Sequence, residues 1–320
     1  MVEGKKMGEE YKIPLLVIVG PTATGKTKLS ILLAQRLEGE IVSADSVQVY
    51  RYLDIGSAKP TAEEKKGIPH YMIDIVEPDQ SFTVYDYQAR AGKHIKEIYS
   101  RGRLPILVGG TGLYIKALVD GYAFRSGKHD PSLRARLTKE LNTYGKEHLF
   151  RKLQKVDPVT GKKLHPNDTK RVIRALEYYC LTGEPISRQK ELTGQEGCPY
   201  KLTMIGLSMP RGQLYDRINS RVDQMLRRGL LYEVRSLLGR GYPGDLKALQ
   251  ALGYRHMLMF LGKNWDWEKT VATLKQDTRK YAKRQMTWFR ADKRISWLDI
   301  AENMKFEPFL DGICKRVAGY

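Results

Sequence analysis

Gly20-Pro21-Thr22-Ala23-Thr24-Gly25-Lys26-Thr27 fits the pattern G-x-x-x-x-G-K-[ST] at every position. The apolar run Leu15–Val19 precedes it and a helical stretch, Leu29–Leu37, follows. A strand that feeds a glycine-bounded loop and then a helix N-terminus makes a nest of backbone N–H groups. The helix dipole adds partial positive charge there, and Lys26 adds a full one. The Thr27 hydroxyl is the group expected to reach a Mg²⁺ that bridges phosphates. The stretch reads as a cradle for a diphosphate or triphosphate.

Outward from the loop, five β-rich apolar runs punctuate the chain: Leu15–Val19, Glu40–Ser43, His70–Ile75, Leu104–Val108 and Leu202–Leu207. The first four are separated by segments of crossover length, the alternation of an α/β fold with a P-loop, doubly wound parallel sheet. Helical patterning marks Thr83–Ser100, with Ala89, Ile95, Ile98 and Tyr99 as its stripe, and again Leu214–Leu238. The interval 124–200 is far longer than the dozen residues a crossover requires. It reads as helices only: Pro131–Leu141, Lys146–Gln154 and Asp168–Leu181, with Asp130 and Asn167-Asp168 as starts and Gly183 as a stop. The expected organisation is a catalytic core of residues 1–123 and 201–320, with an all-helical subdomain inserted at 124–200.

Charge points to the partner. The chain carries 55 Lys and Arg against 36 Asp and Glu, a net of +19, an excess suited to a polyanion and to nucleic acid above all. The insertion holds sixteen basic residues against nine acidic ones. Arg279 to Arg294, RKYAKRQMTWFRADKR, carries seven basic residues and one acid, interleaved with Tyr281, Trp288 and Phe289. Basic and aromatic side chains together are what neutralising an RNA backbone and stacking its bases require. Cys180, Cys198 and Cys314 are odd in number and far apart, which argues against a disulfide framework and fits the reducing cytoplasm. The polar N-terminus, MVEGKKMGEEYK, has no apolar core of a signal peptide, and no run is long enough to span a membrane. No protein partner is indicated.

Most loops of this kind serve ATP-binding enzymes, so a nucleotide-binding NTPase or kinase is the default reading. A motor-type NTPase would carry an acid at the end of a strand such as Leu104–Val108. That strand ends instead in Gly109-Gly110-Thr111-Gly112. An acid does follow the second run, in Ser43-Ala44-Asp45-Ser46. Ligands bind outside the carboxyl ends of the strands in such sheets, so Asp45 should face the loop and serve as a general base. The alternative is an N-cap for a helix that follows.

Taken together, GPTATGKT, Asp45-Ser46-Val47-Gln48-Val49-Tyr50 and Asp54-Ile55-Gly56-Ser57-Ala58-Lys59-Pro60 resemble the tRNA dimethylallyltransferases. Gly109-Gly110-Thr111-Gly112-Leu113-Tyr114, His165-Pro166-Asn167-Asp168, Lys170-Arg171, Arg174-Ala175-Leu176-Glu177, Tyr281-Ala282-Lys283-Arg284-Gln285 and Trp288-Phe289 continue the resemblance in order, from about Leu15 to about Trp297.

The resemblance implies a prenyltransferase that uses Mg²⁺ and dimethylallyl diphosphate and acts on the anticodon stem-loop of tRNA. Residues Gly20 to Thr27, with Arg221, would bind the diphosphate, and Lys26 and Mg²⁺ on Thr27 would stabilise it as it leaves. Asp45 would take the proton of the adenosine amine 3′ to the anticodon, and Thr111 would help place the reacting centre. Ser46, Val47 and Gln48 would contact the flipped base, Gln48 through its amide. Arg134, Lys170, Arg171 and Arg174 of the insertion would grip the stem-loop. Arg279, Lys280, Lys283, Arg284 and Arg290 would hold backbone elsewhere. Three rivals remain: a P-loop kinase of a small metabolite, an adenylate isopentenyltransferase acting on free nucleotide, and a non-catalytic RNA-binding protein.

Overall fold

The computed structural model describes residues 12–122, 130–188, 198–300 and 306–318. The polar N-terminal stretch before residue 12 and the expected junction at 123/124 lie outside the described residues. Two compact units are distinguished: residues 1–119 with 199–320, and residues 120–198.

The first unit holds a six-stranded, wholly parallel sheet of order β3-β2-β4-β1-β5-β6. Its strands are β1 (Ile13–Val19), β2 (Gly39–Ala44), β3 (His70–Tyr71), β4 (Leu104–Gly109), β5 (Tyr200–Ser208) and β6 (Ile295–Asp299). β1 lies at the centre, which its unbroken LLVIV run dictates: a strand covered on both faces has no use for polar alternation. Leu16, Ile18, Ile41, Ile106, Val108, Ile205 and Leu207 pack on one face with Leu29 and Leu33 of the helix Lys26–Arg36 and with Leu310 and Ile313 of the helix Glu307–Ala318. The helix Val84–Ser100 packs on β2 and β4, its Tyr87 hydroxyl donating to the Ser43 carbonyl. Helices therefore flank both faces.

Register decides where chemistry can sit. Val19 pairs with Gly109, and Ala44 with Gly109 from the other side, so the loop after β1, Asp45 after β2 and Gly110-Thr111 after β4 emerge together at the carboxyl edge. Gly109 has to be glycine, because a Cβ there would lie 2.2 Å from the Ala44 carbonyl oxygen.

Four expectations need correction. The third strand is two residues long rather than running to Ile75, with only an isolated bridge between Tyr50 and Val76 beyond it. A sixth strand, Ile295–Asp299, was hidden by the basic stretch before it. Leu214–Leu238 is two helices, Arg211–Arg227 and Leu230–Gly239, broken where Gly229 takes φ 96°. The buried stripe of Val84–Ser100 is Tyr87, Ala91, Ile95 and Ile98; Ala89 faces outward and Tyr99 is half-buried.

The second unit is helical among its described residues: Pro131–Tyr144, Lys146–Val156, Pro158–Gly161 and Thr169–Thr182. Asp130 caps the first helix, accepting from the Ser132 and Leu133 amides at 2.9 and 3.3 Å. Gly183, at φ 72°, ends the last. Leu133, Leu137, Leu149, Leu153, Val172 and Leu176 form its own core. Among the described residues no helix is long and apolar enough to cross a membrane.

Candidate active site

The loop after β1 closes on itself. Both the Thr24 hydroxyl and the Lys26 ammonium donate to the Pro21 carbonyl, at 2.9 and 2.7 Å. Ala23 takes φ 67° and Gly25 φ 87°, the left-handed turns that line successive N–H groups into an anion nest. For Ala23 this is a strained conformation of the kind kept at functional loops. Desolvation, and then the nearby Arg221 guanidinium, pull the Lys26 pKa down to about 7, with Asp45 opposing. Burial likewise lowers Arg221, which reaches in from the helix Arg211–Arg227. The two half-buried cations repel each other across the cavity wall, an arrangement that an arriving polyanion relieves.

Two cavities, of about 730 and 370 Å³, share Thr22, Asp45, Ser57, Arg221, Met225 and Tyr281 in their walls. The larger is lined by Gly25, Lys26, Thr27 and a row of arginines, Arg217, Arg221 and Arg228. Val47, Tyr50, Phe82, Tyr114, Ile218 and Val222 give the smaller one an apolar, aromatic wall. Asp45 thus has a cation-lined chamber on one side and a chamber with an apolar, aromatic wall on the other. Its Oδ1 also accepts from the Val47 and Gln48 amides, at 2.8 and 3.2 Å, so Asp45 caps a turn rather than a helix while lining both cavities.

Other expected residues stand differently. Thr111 is absent from the lining of either cavity. It braces the Asp45 turn from behind, its Oγ1 accepting the Ser46 amide at 3.0 Å. The Gln48 amide, expected to read adenine, is engaged within the protein. Its Oε1 accepts from Ser43 Oγ at 2.9 Å, and its Nε2 donates to the Ser57 and Ala58 carbonyls. Arg279 is held inward as well, donating to Asn219 Oδ1 at 2.7 Å and lying over the Tyr215 ring. Lys280, Lys283, Arg284 and Arg290 do remain exposed on the helix Trp267–Arg290, Lys280 in an ion pair with Asp277.

In the helical unit, Lys170, Arg171 and Arg174 are exposed on the helix Thr169–Thr182. Arg171 pairs with Asp168 at 3.2 Å. Arg134 makes a forked pair with buried Glu177, at 2.7 and 3.0 Å, and Arg174 lies 4.0 Å from the same carboxylate.

Sequence reasoning missed Arg217 and Arg228; Arg217, four residues before Arg221, could have been flagged on the same helix face, and Arg228 follows two turns later, just past the helix end. It also missed Gln285, which looked like one more polar residue in a basic tract. Here Gln285 is 7% exposed and bonded to the loop: the Thr22 amide donates to its Oε1 at 2.9 Å.

Residues 48–292 match the family described as IPP transferase. The chain is similar to the tRNA dimethylallyltransferase of Thermoanaerobacter sp. (strain X514), 48% identical over 96% of this chain and 98% of that protein. It is 50% identical to the enzyme of the same description from Pelotomaculum thermopropionicum, over 97% of this chain and 96% of that one. Among solved structures, the full-length tRNA isopentenylpyrophosphate transferase from Bacillus halodurans superposes with a TM-score of 0.72 at 47% identity, covering 96% of both chains. A eukaryotic dimethylallyltransferase acting on tRNA gives a TM-score of 0.80 at 27% identity, covering 96% of this chain and 79% of that one. With the family pattern spanning most of its length and relatives of near half identity end to end, the chain belongs to the IPP transferase family.

Proposed function

We propose that this protein transfers the dimethylallyl group of dimethylallyl diphosphate to the exocyclic amine of the adenosine immediately 3′ to the anticodon in tRNA. The observation that carries this reading is the place of Asp45, in the shared wall of a cationic chamber and an aromatic one. The loop amides, Lys26 and Arg221 hold the diphosphate. As the allylic carbon–oxygen bond breaks, its electron pair leaves with the diphosphate, whose growing charge these preorganised donors stabilise. The amine lone pair forms the new carbon–nitrogen bond, and Asp45 accepts the proton the amine sheds. Ser46 and Val47 border the chamber for the base, which has to leave its stack to arrive there.

The donor set fits Mg²⁺. Thr27 lines the cationic chamber, and a small hard cation that keeps several waters needs little more than that hydroxyl and the oxygens of the diphosphate. Among the described residues no three His, Cys, Asp or Glu side chains converge to hold a metal alone. When bound, the ion would neutralise charge on the leaving group.

Phosphates of the anticodon stem-loop are met by Lys170, Arg171 and Arg174 of the insertion and by Lys283, Arg284 and Arg290 of the core. A tRNA substrate of this kind suits an enzyme of the cytoplasm.

Unmodified tRNA incubated with labelled dimethylallyl diphosphate, Mg²⁺ and the protein, without ATP, should take up the label. Unlabelled RNA, or a strict requirement for ATP, overturns the reading.

A further inference from the structure

The helix Trp267–Arg290 turns Lys283, Arg284 and Trp288 outward and buries Ala282, Gln285 and Phe289. Gln285 Oε1 accepts the Thr22 amide of the phosphate loop, while its Nε2 donates to the Gly110 carbonyl at the end of β4, both at 2.9 Å. Thr111, which follows Gly110 in the chain, accepts the amide of Ser46, next to Asp45, at 3.0 Å, and its own amide donates to the Ala44 carbonyl at 3.1 Å. Gln285 therefore ties the phosphate loop to the Gly110-Thr111 turn, which in turn holds the Asp45 turn.

We propose that Gln285, bridging Thr22 and Gly110, is a positioning residue that keeps the donor cradle and Asp45 in register for transfer, an inference that rests on the function proposed above. Only a side-chain amide meets both ends of this contact, since it offers an acceptor to an N–H and a donor to a carbonyl at once. Glutamate would turn an acceptor toward the Gly110 carbonyl. Methionine would fill the space and make neither bond. The reaction joins two bound substrates, so a small drift between their holders is felt in the chemical step rather than in binding. Lys283, on the exposed face of the same helix, is left for RNA, and Gln285 lines the larger chamber but not the smaller one assigned to the base.

The test compares Gln285→Met and Gln285→Glu with the wild type in transfer of labelled dimethylallyl groups to tRNA. Gln285→Met should lower kcat by about 10–100-fold at saturating substrates, with the tRNA KM held within about threefold. A folded Gln285→Met with wild-type kcat overturns the proposal. Gln285→Glu regains a donor when its carboxyl is protonated, so its kcat relative to wild type should climb as pH falls from about 7 to about 5. A flat ratio counts against it, since loss of packing alone would give one. Should Gln285→Met not fold, Gln285→Glu decides: a ratio that climbs as pH falls supports the proposal, and a flat one overturns it. If the wild type labels no tRNA, the functional reading fails first, before any variant is compared.

Discussion

The Lys26 ammonium donates to the Pro21 carbonyl 2.7 Å away, within the loop to which both belong. That contact satisfies one of its three donors, and desolvation leaves its pKa at about 7 against an ordinary 10.5. A bound diphosphate restores the charged form, so donor binding takes up a proton above pH 7. Calorimetry at pH 8 in two buffers of different ionisation enthalpy should show that uptake in the wild type and not in Lys26→Arg, whose guanidinium stays charged. Equal heats corrected for buffer in both proteins would refute it. The same depression fixes a sign for stability. The unfolded chain holds this proton to about 10.5 and the folded chain to about 7, so this group's contribution to stability rises as pH climbs between those values.

Asp45 does two jobs that substitution can separate. Asparagine keeps an oxygen for the Val47 and Gln48 amides and loses the ability to take a proton, whereas alanine loses both. Both variants should lose transfer by about 10²-fold or more. Only Asp45→Ala should also lose stability, by about 1 kcal/mol as for a deleted cap. Chemical denaturation alongside turnover makes the comparison. Near-normal turnover in Asp45→Asn would remove the residue from proton transfer.

Much of this was legible in the sequence because the decisive signals are local. GPTATGKT specifies its own strand, turn and helix, and Asp45 could be placed because a parallel sheet gathers the carboxyl ends of its strands. Gln285 was not legible: its partners, Thr22 and Gly110, lie 263 and 175 residues away, and nothing within the helix announces them. The same holds for Gln48 and Arg279, whose residue types suit RNA but whose neighbours in space already occupy them. Strand Ile295–Asp299 was missed because an edge strand of five residues carries too short a pattern to stand out after a basic tract.

In the helical unit the sequence assigns Arg134 to RNA, and the structure gives it a second duty. Glu177 is nearly buried, and Arg134 supplies its forked partner, with Arg174 at the limit of an ion pair. Arg134→Ala leaves that carboxylate underpaired and should cost about 1–3 kcal/mol of stability. Arg134 with Glu177 replaced together, by Met and Leu, should cost less than Arg134→Ala alone, because no buried charge is stranded. Urea denaturation of the three proteins tests this. A double variant no more stable than the single one would show that the pair is not the reason for the loss.

The exposed and inward cations of the helix Trp267–Arg290 should separate in a salt titration. Lys283 and Arg284 are exposed, Arg284 also in the wall of the smaller chamber and over the Tyr281 ring, whereas Arg279 is bonded to Asn219 and lies over the Tyr215 ring. Each phosphate neutralised contributes roughly 0.7–0.9 to the slope of log affinity against log salt. Replacing Lys283 and Arg284 by Ala should therefore reduce that slope by about 1.4–1.8 for tRNA, with weaker binding at low salt. Arg279→Ala should leave the slope within error and lower the denaturation midpoint instead, since what it loses is a contact between two helices. If Arg279→Ala flattens the slope while the Lys283 and Arg284 pair does not, the RNA lies against the opposite side of this helix. The strut through Gln285 would then be exposed to the substrate rather than shielded behind it.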